Sequence, residues 1–135
     1  MFDKILIANR GEIAVRLIRA ARDLGVASVA LYAQDDAQAL HVRRADQALA
    51  LDATGPAAYL DVAAVIAAAR RTGCAAVHPG YGFLSERADL AQACADAGLA
   101  FIGPAAEHRA LFGDKARARA FARNHGVPLL PGTGA

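Results

Sequence analysis

Thr72-Gly73-Cys74-Ala75-Ala76-Val77-His78-Pro79-Gly80-Tyr81-Gly82-Phe83-Leu84-Ser85-Glu86 compresses a helix stop, a strand, a tight turn and the start of another helix into one run. Gly73 follows an alanine-rich stretch in the way a helix C′ residue does. Ala75-Ala76-Val77 reads as a short buried strand. Pro79-Gly80 suits the two central positions of a type II turn, where glycine supplies the positive φ. Gly82 permits close backbone approach. Ser85 is placed as the N-cap of the next helix, and Glu86 puts negative charge in its first turn, where the helix dipole favours it. So many aromatics and turn-formers at the end of an apolar strand exceed what packing demands, so the nonapeptide His78–Glu86 is read as a binding-site loop. A plain strand-to-helix connection is the competing reading.

The same phrase of alanine-rich helix, glycine and short apolar run recurs at Leu24-Gly25-Val26, Ala97-Gly98-Leu99 and His125-Gly126-Val127. With the opening Lys4-Ile5-Leu6-Ile7-Ala8, strands are expected near Ser28–Ala33, Gln47–Leu51, Ala75–His78 and Leu99–Ile102, with helices between them. Alternating β and α elements with continuously apolar strands predict a parallel sheet covered on both faces, a Rossmann-like α/β domain. In the first helix Ile13, Leu17, Ile18, Ala21 and Leu24 form the expected packing face, and Arg16, Arg19 and Asp23 line another. Asp61 is expected to cap a helix running to Arg71, and Asp114 the helix Lys115 to Asn124. The Pro/Gly-rich stretch Val127-Pro128-Leu129-Leu130-Pro131-Gly132-Thr133-Gly134 reads as a linker.

Composition narrows the function classes. A chain of 135 residues suffices for one domain with its own core. Its 56% hydrophobic content contains 36 alanines, so packing is close rather than bulky. A net charge of +2 with dispersed basic residues argues against a nucleic-acid partner. Cys74 and Cys94 lack a CxxC partner or a histidine at metal-ligand spacing and are read as buried reduced thiols. No apolar stretch is long enough for a membrane span, and a first strand beginning at Asp3 leaves no room for a leader ahead of it. A cytoplasmic location is expected.

Open α/β sheets bind ligands beyond the carboxyl ends of their strands. Three segments fall there. In Ala8-Asn9-Arg10-Gly11-Glu12 the backbone amides opening the first helix suit an anion, although Arg10 and Glu12 equally suit a surface ion pair. Asp35 and Asp36 follow the second strand where a dinucleotide fold keeps its ribose-binding acid, but the GxGxxG fingerprint is missing. In the nonapeptide, Tyr81 is suited to stack on or hydrogen-bond a ligand and Gly82 to offer backbone. His78, without a nearby Asp, Ser or Cys, is read as a hydrogen-bonded turn histidine rather than a base. Lys115 opposes the macrodipole at a helix start, which local stability does not explain. A phosphate contact and a solvated lysine are the two readings.

In order along the chain, Lys4-Ile5-Leu6-Ile7-Ala8-Asn9-Arg10-Gly11-Glu12-Ile13-Ala14, the nonapeptide, Phe101-Ile102-Gly103-Pro104 and Gly113-Asp114-Lys115 resemble the N-terminal domain of biotin carboxylase. This component occurs in acetyl-CoA, propionyl-CoA, methylcrotonyl-CoA and pyruvate carboxylases and in urea carboxylase. The resemblance implies a pre-ATP-grasp domain over residues 1–113, with residues 114–135 a helix and linker leading towards an ATP-grasp domain. It implies a parent ligase that uses MgATP to activate bicarbonate as carboxyphosphate and carboxylates N1′ of biotin on a carrier domain. By position it implies ATP contact by Lys115, a biotin site beside Tyr81 and Gly82, and a homodimer interface through Arg16, Arg19 and Asp23, which otherwise read as a solvated helix face. Gln47 departs from the acid that many relatives carry after Ala45-Asp46.

The implied cofactors are ATP, Mg2+ and biotin, none bound strongly by these residues alone. The implied partners are ATP-grasp and C-terminal domains, a biotin carboxyl carrier and a carboxyltransferase that selects the acceptor. No catalytic residue or metal ligand of the family falls within this chain, so the chain alone is expected to fold without cleaving ATP or carboxylating biotin, as an excised domain or one piece of a split protein. The competing readings are a free-standing nucleotide or metabolite binding module and the first domain of another ATP-grasp ligase.

Overall fold

Three central strands, whose mostly apolar side chains alternate between the two faces, and two edge strands build the sheet. The computed structural model describes residues 2–130, so the Pro131–Gly134 part of the expected linker lies outside the described residues. The elements run β1 (Lys4–Ile7), α1 (Gly11–Asp23), β2 (Ala27–Tyr32), α2 (Leu40–Arg44), β3 (Gln47–Ala50), α3 (Val62–Arg71), β4 (Ala76–His78), α4 (Ala88–Asp96), β5 (Ala100–Phe101), α5 (Ala106–Phe112) and α6 (Lys115–Asn124). All strand pairs are parallel in the order β3-β2-β1-β4-β5. All five expected strands are present, each within two residues of its expected bounds. Gly25, Gly73, Gly98 and Gly126 take positive φ after their helices, as C′ residues do.

The side-chain alternation of β1 divides the core. Ile5 and Ile7 point into one cluster with Ala14, Ile18 and Ala21 of α1, together with Ala30 and Ala76. Leu6 points into the opposite cluster with Val29, Leu31, Val77, Val65 and Ala68 of α3, and Leu90 and Cys94 of α4. Helices therefore cover both faces, because parallel strands need their backbone and both side-chain faces removed from water. The expected packing face of α1 is rotated. Ala14 and Val15 are buried, Ile13 and Leu17 are only half-buried, and Leu24 is 65% exposed. Leu24 is the C-cap residue, already turning away from the sheet.

Asp61 and Asp114 cap as expected, accepting from the Ala64 and Arg117 amides at 3.0 Å. Ser85 does not cap α4. It lies buried within a short 3-10 turn, Phe83–Glu86, and Arg87 occupies the N-cap position. Leu84 explains the difference: it is fully buried in the core, and reaching it draws the chain into a tight turn before the helix starts. Both cysteines are free and buried, and burial pushes the Cys94 thiol up to about 11.

Candidate functional site

From β1 the chain first builds towards β2 and β3, then returns across the sheet to place β4 on the other side of β1. The loops leaving β1 and β4 therefore start side by side at the carboxyl ends of neighbouring strands, at the switch point where open sheets of this kind have their ligand crevice. Asn9 follows β1 and the nonapeptide follows β4 at that switch point.

Asn9 is fully buried. Its Nδ2 donates to the Pro79 carbonyl at 2.8 Å and the Tyr81 carbonyl at 3.0 Å, while its Oδ1 accepts from the Arg10 amide at 2.9 Å. Gly80 takes the expected positive φ of 67°. Any side chain there would also collide, since a Cβ would stand 2.7 Å from Ile13 Cγ2 and 2.8 Å from Asn9 Nδ2. The His78 carbonyl accepts from the Ala8 amide at 2.9 Å, extending the β1–β4 ladder. The His78 Nδ1 accepts from the Gly80 amide at 3.0 Å, so the neutral ring carries its proton on Nε2. Burial holds this imidazole below its ordinary pKa. His78 is thus a turn histidine.

Beyond the turn, Tyr81 is 57% exposed and its hydroxyl donates to Glu12 Oε2 at 3.0 Å. That bond is the main cause of a raised phenol pKa. Gly82, at φ 66°, opens the 3-10 turn with open space where a Cβ would lie. Among the described residues, no hydrogen bond is made by the Gly82 amide. Phe83, at φ 50°, directs its ring to Tyr59, 5.8 Å between centroids.

Arg10 does not pair with Glu12, the alternative its position suggested. Its guanidinium meets Asp36 Oδ1 at 3.0 Å. Tyr59 donates to Asp36 Oδ2 at 2.8 Å and accepts from the Ala33 amide at 3.0 Å, and burial raises its phenol pKa. Asp35 accepts from the Gly55 amide at 2.8 Å. Both acids after β2 are therefore occupied in holding the loop around Gly55 and Tyr59.

The other site candidates lie on α1 and at the start of α6. Arg16, Arg19 and Asp23 share a shallow groove on α1 with Glu12 and Val15. Lys115 is the exposed first residue of α6. A second groove joins Ser85 and Glu86 to His108, Arg109, Phe112 and Gly113, so the end of the nonapeptide approaches the entry to α6. Among the described residues, no three His, Cys, Asp or Glu side chains converge, so these residues do not form a metal cage. No helix among them is long and apolar enough to cross a membrane.

Sequence reasoning singled out Tyr81 and Gly82 but gave no separate role to Asn9, nor to Glu12 as the partner of Tyr81. One signal was available: a carboxamide directly after four consecutive apolar strand residues is a buried polar group that requires partners.

The family model described as the biotin carboxylase N-terminal domain matches residues 1–108. The alpha3 subunit of a biotin-dependent acyl-coenzyme A carboxylase from Mycobacterium leprae is 55% identical over 131 residues, covering 96% of this chain and 22% of that protein. The biotin carboxylase domain of a single-chain bacterial carboxylase matches with a TM-score of 0.92 and 60% identity, over 96% of this chain and 30% of that one. The biotin carboxylase domain dimer of Hydrogenobacter thermophilus 2-oxoglutarate carboxylase, solved with MgADP, ADP and bicarbonate, matches with a TM-score of 0.95 and 42% identity. That match covers 99% of this chain and 30% of its counterpart.

Proposed function

The chain belongs to the biotin carboxylase N-terminal domain family, and from that premise we propose that it serves an enzyme carrying out MgATP- and bicarbonate-dependent carboxylation of biotin on a carrier domain. The observation that carries this reading is the position of the nonapeptide: it emerges at the carboxyl end of β4, at the switch point, with Tyr81 exposed and the Gly82 amide without a partner among the described residues. In this reading biotin lies beside Tyr81 and Gly82. Lys115 meets a phosphate oxygen of ATP, where a charge-assisted hydrogen bond is worth about 1.5–3 kcal/mol. Mg2+ does not fit a site made of these residues alone, and its ligands belong to the ATP-grasp portion of the enzyme.

The division of labour follows. Residues 1–113 form the Rossmann-like wall that holds the biotin-facing loop, and residues 114–135 lead towards the ATP-grasp domain. The groove of Arg16, Arg19 and Asp23 forms a homodimer contact, a reading supported by the domain dimer of the Hydrogenobacter relative. A carboxyl carrier and a carboxyltransferase complete the reaction, in the cytoplasm. The chain spans between about a fifth and a third of the three relatives described above. On its own it is expected to fold without turning over ATP.

The test is phosphate release from MgATP and bicarbonate by the complete gene product, with and without free biotin. Biotin stimulation is the expected result. Turnover indifferent to biotin would favour another ATP-grasp ligase, and absence of turnover would favour a binding module.

A further inference from the structure

We infer that Asn9 is a positioning residue for the biotin-facing loop: its buried carboxamide turns the Tyr81 carbonyl inward and thereby aims the Gly82 N–H and the Tyr81 ring outward. The inference rests on the biotin-site reading above and names what fixes that site's geometry.

Both amide hydrogens of Asn9 are spent on carbonyls of the loop, at Pro79 and Tyr81, and its oxygen is spent on its own neighbour at Arg10. The peptide unit joining Tyr81 and Gly82 is planar and trans, so its N–H points opposite to its C=O. With the carbonyl tied inward to Asn9, the Gly82 N–H faces away from the core, where it has no partner among the described residues. The arrangement is tight on both sides. Gly80 leaves no room for even a methyl group against Asn9 Nδ2 and Ile13, which fixes the separation between the Asn9 side chain and the turn. Outside, the Tyr81 hydroxyl is anchored to Glu12, three residues after Asn9 and on the first turn of α1. Asn9 and Glu12 thus hold the same loop residue by its carbonyl and by its ring. The core needs no carboxamide at this position for packing alone, because an apolar side chain would fill the volume. What an apolar side chain would not do is orient two peptide units of a loop 70 and 72 residues away.

The test uses the complete enzyme. Asn9→Asp keeps the volume but sets a carboxylate against the Pro79 and Tyr81 carbonyls. Losing two buried hydrogen bonds to the loop is expected to raise KM for free biotin by about tenfold or more. KM for MgATP and the slow biotin-independent ATP cleavage are expected to stay within about twofold, since a factor of two lies well under the worth of one such bond. Tyr81→Ala is the control for the site itself. If Tyr81→Ala raises KM for biotin and Asn9→Asp does not, the positioning role is overturned and the biotin site stands. If neither variant changes it, the biotin-site reading has failed and takes the inference with it. If Asn9→Asp shifts biotin and ATP parameters together, Asn9 is merely structural. Should Asn9→Asp not fold, Asn9→Ser retains one donor and Gly80→Ala presses on the same contact from the loop side. An unchanged biotin-to-ATP KM ratio in both overturns the inference.

Discussion

The crevice between β1 and β4 and the helical pair α5–α6 carry the two halves of the proposed chemistry and are built in opposite ways. At the crevice, Asn9, Leu84 and Tyr59 are each at most 1% exposed, and hydrogen bonds tie together segments from β1, β2 and β4. Neither α5 nor α6 contains a buried residue. Their aromatic contacts, Phe112 with Phe121 and Phe121 with His125, lie on the surface. The nonapeptide loop is therefore preorganised by the domain itself. Lys115 is held by little more than the helix it begins.

The largest effect that would break this contrast is at Leu84. Leu84→Ala is expected to cost about 2–5 kcal/mol in urea unfolding, because it empties a fully buried position. Phe121→Ala, with 38% of its residue surface already exposed, is expected to cost about 1–2 kcal/mol. Equal costs would mean that the two regions are equally packed. Next comes Tyr59→Phe, which strands the Ala33 amide and removes a bond to Asp36, at an expected cost of about 1–3 kcal/mol. A variant as stable as the native chain would show that the hydroxyl only decorates the loop.

Acid sharpens the contrast further. Burial holds the imidazoles of both His41 and His78 below the ordinary value of 6.5. The unfolded chain takes up these protons first, so their stabilisation is complete above about pH 6.5 and is lost progressively below it. The melting temperature is expected to decline between pH 7.5 and 5.5, and a flat profile would refute the buried neutral state. The smallest effect is at the caps. Asp114→Ala is expected to cost about 1 kcal/mol, seen as faster amide exchange confined to α6, with the crevice amides unaffected.

Period and punctuation made most of the fold legible. The apolar runs ending at Ala8 and His78, the post-helix glycines and the two aspartate caps all act over a few residues, and all are where the sequence put them. What failed was set by tertiary contact. Ser85 looks like an N-cap locally, yet the pull of Leu84 into the core makes it part of a 3-10 turn. The face of α1 was displaced because Val15 and Ala14, not Leu24, meet neighbours. The pairing of Arg10 with Asp36 spans 26 residues and no local pattern announces it. Tyr81 and Gly82 were legible as unusual residues for a turn, whereas the bonds made to Tyr81 come from Asn9 and Glu12, in the segment that follows the neighbouring strand β1.

The register of β1 also sets an order of events in time. Its pairing with β2 closes a short connection through α1, whereas pairing Ile5 with Ala76 must close a loop of roughly three times that length. Loop closure grows more costly with length, and contacts distant in sequence slow folding. The Asn9 bonds to Pro79 and Tyr81 exist only once that second closure is complete. The half of the sheet containing β1, β2 and β3 is therefore able to form first, and the crevice is completed last. In a refolding experiment that resolves more than one phase, a probe on Tyr81 is expected to report the slowest, and weakening the β1–β4 seam to lengthen it; a Tyr81 probe that reports the earliest phase would refute this order.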